Sequence, residues 1–175
     1  MLSEMSMEES PLLEAQDLIA GYMVPVVGPL SFRIFPGEIV GLAGANGSGK
    51  TTVLSAITGQ ARIFGGVIRR RDKLTIHHQD QQPLRLPEMP LRCREFLRLA
   101  GVREDGLPKH LAELSEIRID RLSGGQFQLL HGWAALGSLA ELVLLDEPTN
   151  NMAPHFVDTV LESLRRFRRL ARPWW

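Results

Sequence analysis

The residues best suited to chemistry run Gly44-Ala45-Asn46-Gly47-Ser48-Gly49-Lys50-Thr51-Thr52, a glycine, four residues, then Gly-Lys-Thr. Glycines at 44, 47 and 49 let the backbone take positive φ and bring its N–H groups up to phosphate oxygens. The ammonium of Lys50 reaches β- and γ-phosphates, and the hydroxyl of Thr51 ligates Mg²⁺. Asn46, Ser48 and Thr52 belong to the same cradle. The chemistry is the gripping of a nucleoside triphosphate with its magnesium. A second acidic centre follows Leu142-Val143-Leu144-Leu145, where Asp146 and Glu147 end an apolar run. Asp146 is placed to hold Mg²⁺, and Glu147 to polarise a water that attacks the γ-phosphate. A third candidate is Leu122-Ser123-Gly124-Gly125-Gln126, entering a helix whose first N–H groups and dipole face an anion.

These groups need particular elements to position them. Glu38–Ala43 is a short apolar run that reads as a buried strand leading into the glycine loop. Val53, Leu54 and Ile57 share one face of the helix after it, and Gly59 suits that helix's end. Leu142–Leu145 reads as a buried parallel strand, which delivers Asp146 at its C-terminal edge, where ligands sit in such sheets. Leu12–Ala20 and Leu30–Phe35 read as strands, the latter alternating through Leu30, Phe32 and Ile34. Further strands are expected at Gly65–Ile68 and Lys73–His77, and helices at Leu91–Leu99, Lys109–Leu114 and Phe127–Leu139. His77 and His78 are not a metal pair, because neighbouring strand residues point to opposite faces.

The chain has 175 residues, enough for one domain with a proper core. Its 20 basic and 20 acidic residues balance, so global charge favours neither nucleic acid nor a membrane surface. The single cysteine, Cys93, excludes an internal disulfide and fits a reducing compartment. No apolar run reaches the roughly 18 residues of a membrane span. The polar, acidic start is not a signal peptide, and the expected location is cytoplasmic.

With these motifs in order, the chain resembles the nucleotide-binding subunit of ATP-binding-cassette (ABC) transporters, over about residues 12–170. The resemblance implies an α/β P-loop NTPase fold of the ABC ATPase type. Such a fold has a mixed sheet, an N-terminal antiparallel β region and a small helical subdomain, here at about 83–135 of one domain spanning 1–175. It implies ATP and Mg²⁺ as ligands. Tyr22 looks like the aromatic that stacks on adenine, and Gly44 to Thr52 like the phosphate loop. Asp146 and Glu147 look like the metal-holding acid and catalytic base. Ser123, Gly124, Gly125 and Gln126 look like the signature that meets the γ-phosphate on a second copy, so hydrolysis implies a dimer. Gln81 looks like the loop glutamine that senses Mg²⁺ and water, with Gln79 and Gln82 as competitors. That loop and residues 85–99 would face a membrane permease, which places the protein at the cytoplasmic face of the inner or plasma membrane. Lys73–Ile76 and Glu95–Leu99 are most similar to the zinc and manganese uptake branch.

Several positions depart from the family pattern. Ala153 stands where an Asp is usual, and Leu129 where an Arg or Lys is common. No His follows His155, which comes too early for the switch histidine. Two expectations therefore stand side by side. The chain is C-terminally truncated relative to an intact ancestor, or it works without that histidine. By the same token an importer ATPase competes with a nucleotide-binding protein that hydrolyses poorly, in a regulatory or decayed role.

Overall fold

The computed structural model describes residues 10–80, 90–102 and 107–148. Within these the chain forms two compact units, which divide between Leu74 and Thr75.

The first unit is built on β1 (Leu13–Gly21), β2 (Pro25–Ile34), α1 (Lys50–Thr58) and β3 (Arg62–Arg70). The three strands form an antiparallel sheet in the order β2-β1-β3. Alternation explains β1 only in two pieces. Leu13 and Ala15 are buried at odd positions, Leu18 and Ala20 at even ones. The change of phase occurs at Asp17, which has φ 47° and lies where the pairing with both neighbours shifts register. This bulge inserts one residue and returns the apolar side chains to the same face. Gly66 on β3 lies opposite, with φ +71°, and a Cβ there would come within 2.2 Å of the Asp17 carbonyl oxygen. The bulge thus requires a glycine across from it. Ala15, Leu18 and Ala20 pack with Ala56 and Ala61 to form this unit's small core, flanked by Val27, Phe32 and Ile68.

One expectation about this unit fails. Glu38–Ala43 forms no strand, and Ile39, Val40 and Leu42 are 50%, 47% and 40% exposed. Among the described residues no strand pairs with it. An apolar run favours burial, but a parallel strand exists only where neighbours supply a ladder on its edges. That requirement is not local.

The second unit contains β4 (Ile76–Gln79), α2 (Cys93–Leu99), α3 (Lys109–Ala112), a 3-10 turn (Ile119–Arg121), α4 (Gly124–Leu136) and β5 (Leu142–Leu145). β4 and β5 pair in parallel, with Ile76 opposite Leu142 and Gln79 opposite Leu145. β4 starts later than the expected Lys73–His77, because Lys73 sits in a turn at φ 57°. The helical core gathers Cys93, Leu97, Leu111, Ile119, Leu130 and Trp133. Leu129 is 1% exposed in the same cluster, so the apolar residue at this position is packed in the interior. Cys93 is also fully buried, and burial pushes its thiol pKa up to about 11, which disfavours the thiolate.

Candidate functional site

In the first unit the glycine loop leads directly into α1, which starts at Lys50. Gly49 is the N-cap residue in the left-handed region, φ 92°, ψ 14°. A Cβ at Gly49 would lie 2.9 Å from Val27 Cβ, so both backbone conformation and packing demand glycine there. The Lys50 ammonium donates to the carbonyl oxygens of Gly44 (2.9 Å) and Ala45 (3.0 Å). It is thereby held over the loop at the positive end of α1. Thr51 is exposed and Thr52 buried, so the hydroxyl of Thr51 is the accessible one.

The β1–β2 hairpin supplies the neighbours of this loop. Tyr22 is 53% exposed, and its hydroxyl donates to Ser55 Oγ on α1 at 3.3 Å. That bond fixes one end of the ring while leaving most of it open to a stacking partner. Val26 and Val27 approach Gly49 from β2. Ser55, Val26 and Val27 carried no signal in the sequence, since their roles come from pairing across the hairpin.

In the second unit β5 ends where expected, and Asp146 follows it at 4% exposure. Its backbone N–H donates to the Gln79 carbonyl at 3.1 Å, extending the parallel ladder by one bond. Glu147 has φ 46°, a conformation that L side chains avoid. Such strain at a strand end persists where the surroundings impose it.

The signature segment is positioned by a short backbone ladder. Cys93 N–H donates to the Ile117 carbonyl (2.9 Å), Arg94 N–H to Ser115 (3.0 Å), and Ile119 N–H to Leu91 (3.0 Å). Glu116 is gripped by both Arg92 and Arg94. The 3-10 turn then delivers Ser123 as N-cap of α4. Ser123 Oγ accepts the Gln126 N–H at 3.3 Å, and Gln126 Oε1 accepts the Ser123 N–H at 3.0 Å. This reciprocal capping box follows from Ser and Gln three residues apart.

Gln79 lies at the end of β4, 6% exposed, with its Oε1 facing Gly132 of α4 and making no hydrogen bond. His77 and His78 both lie on β4, as their adjacency requires. Gln81, Gln82, Ala153 and His155 lie outside the described residues. Among the described residues no three His, Cys, Asp or Glu side chains converge as a metal cluster. Taken each within its own unit, the exposed Thr51 hydroxyl and the Asp146 carboxylate are oxygen donors of the hard kind that Mg²⁺ takes. A carboxylate as buried as Asp146 is costly without a cation or donors, so this donor chemistry fits the ion. No helix among the described residues is long and apolar enough to cross a membrane.

Comparison with known proteins gives a consistent picture. The family model described as ABC transporter matches residues 27–150. The zinc import ATP-binding protein ZnuC of Roseobacter denitrificans is 36% identical over 151 residues, covering 82% of this chain and 59% of that protein. The ZnuC of Paracoccus denitrificans is 36% identical over 156 residues, again covering 82% and 59%. A solved ATP-binding subunit of an ABC transporter superposes with a TM-score of 0.74 at 26% identity, over 91% of this chain and 75% of that one. This chain therefore spans 59% of the length of these two curated relatives.

Proposed function

Because the chain belongs to the ABC transporter family, we propose that it binds and hydrolyses ATP as the nucleotide-binding subunit of a transporter, acting as one ABC ATPase domain. The observation that carries this reading is the glycine loop closed under the Lys50 ammonium at the N-terminus of α1. The amides of Gly47 and Gly49 and the Lys50 charge grip the β- and γ-phosphates, and the open ring of Tyr22 takes the adenine. Thr51 and Asp146, with Gln81, would hold Mg²⁺, which when bound would supply charge neutralisation at the phosphates. Glu147 accepts the proton of the attacking water as its oxygen bonds to the γ-phosphorus and the bond to the β-phosphate oxygen breaks. Ser123, Gly124 and Gly125 of a second copy close over the γ-phosphate, so the working form is a dimer.

ATP binding closes that dimer and hydrolysis reopens it. The movement passes through the Gln81 loop and residues 85–99 to a membrane permease, at the cytoplasmic face of the membrane. The transported species is a divalent metal, zinc or manganese, and the names of the two zinc import relatives support zinc and the uptake direction.

Steady-state phosphate release by the wild type and by Glu147→Gln tests the proposal. Loss of the general base lowers turnover about 100-fold or more, with ATP affinity little changed. Lys50→Ala instead weakens ATP binding by about tenfold or more, through loss of a charge-assisted phosphate contact. Equal phosphate release by wild type and Glu147→Gln sinks the hydrolytic reading, and undiminished affinity in Lys50→Ala sinks the role of the lysine.

A further inference from the structure

We propose that Gln126 is a positioning residue of the signature rather than a nucleotide ligand. Its side chain fixes the donors that α4 offers to a γ-phosphate: the Ser123 hydroxyl and the N–H groups of Gly124 and Gly125. This rests on the function proposed above and specifies how that surface is assembled.

The first turn of α4 accounts for its donors one by one. The Ser123 N–H is consumed by Gln126 Oε1 at 3.0 Å, and the Gln126 N–H by Ser123 Oγ at 3.3 Å. The Phe127 N–H donates to the Ser123 carbonyl at 2.9 Å. Gly124 and Gly125, the first two helical residues, have no carbonyl one turn back within the helix to receive their N–H groups. Ser123 Oγ already accepts a bond, so its own proton remains to be given away. Three donors thus remain without a partner in the first turn, and the side chain of Gln126 takes up the fourth, the Ser123 N–H.

The glycine at 124 supplies an independent observation. A Cβ built there meets nothing within 4 Å, and its φ is not positive. Neither packing among the described residues nor backbone conformation calls for glycine at that position. Alanine has the higher helix propensity of the two. A ligand surface arriving from outside the chain gives the missing reason.

The test is a double-mutant cycle on the full chain, with phosphate release and amide hydrogen exchange as readouts. Gln126→Ala lowers turnover about fivefold, the worth of one capping bond, while ATP binding through Lys50 stays within twofold. Ser123→Ala lowers turnover further, and the double variant falls no lower than Ser123→Ala, since Gln126 acts through Ser123. In the exchange experiment the Ser123 amide is protected in the wild type and exposed in Gln126→Ala, whereas the Gly124 and Gly125 amides exchange freely in both. Gln126→Glu keeps an acceptor for the Ser123 N–H and retains its protection, which guards against a misfolded alanine variant. Multiplicative turnover losses, weakened ATP binding in Gln126→Ala, or a Ser123 amide that exchanges freely in the wild type each overturn the assignment. A wild type that binds no ATP defeats the functional reading instead, and the exchange pattern still decides the donor set.

Discussion

Replacing His131 by leucine should make this protein more stable and less sensitive to acid. The ring lies on α4, with Phe96 at 4.7 Å and Phe127 at 4.4 Å between centroids, and its Nε2 is buried without a hydrogen-bond partner. Burial, and secondarily the nearby His77, push its pKa down from 6.5 to about 4. Burial also lowers that of His77, with His78 as the lesser cause, so both imidazoles favour the neutral form. The folded ring therefore resists a proton that the unfolded chain accepts below pH 6.5. Stability from the neutral ring is complete above that pH and is lost as pH falls towards 4. A displacement of that size corresponds to about 2 kcal/mol between pH 7 and pH 4.5. Solvent reaching part of the ring reduces this to between roughly 1 and 2 kcal/mol. In His131→Leu that acid-dependent loss disappears, and removal of an unsatisfied polar atom adds about 1 kcal/mol at pH 7. Urea titrations followed by far-ultraviolet circular dichroism at the two pH values measure both effects. The same fall in midpoint for wild type and variant between pH 7 and 4.5 refutes the reasoning.

Two glycines should respond in opposite ways to alanine. Gly49→Ala places a methyl 2.9 Å from Val27 Cβ at φ +92° and costs about 2–4 kcal/mol. Val27→Ala in the same background should recover the packing share, and an unchanged urea midpoint in Gly49→Ala would contradict this account. Gly124→Ala meets nothing within 4 Å, so the urea midpoint holds or rises by up to about 1 kcal/mol, while phosphate release falls at least several-fold as the methyl blocks approach to the γ-phosphate. Full turnover in Gly124→Ala would show that no ligand comes close to that residue.

The chemistry-bearing segments were legible in the sequence because their geometry is local. A Gly-Lys-Thr run specifies its own loop and helix start, and α1 begins at Lys50 with Gly49 at φ 92°. Four apolar residues before Asp146 specified β5 to the residue. Ser123 and Gln126, three apart, specified their own capping box. Other features depended on partners distant along the chain. The run at 38–43 has the composition of a buried strand, yet pairing depends on neighbours and Ile39 is half exposed. Nothing near Asp17 in the sequence announces the bulge that shifts the phase of β1, because it exists only against β2 and Gly66 of β3. His131 reads as one of three polar residues in a largely apolar helix, and only burial beside Phe96 and Phe127 makes its proton costly. Backbone conformation over a few residues is written in those residues. Burial, register and the price of a charge depend on what the rest of the chain brings alongside, and only the tertiary structure decided them.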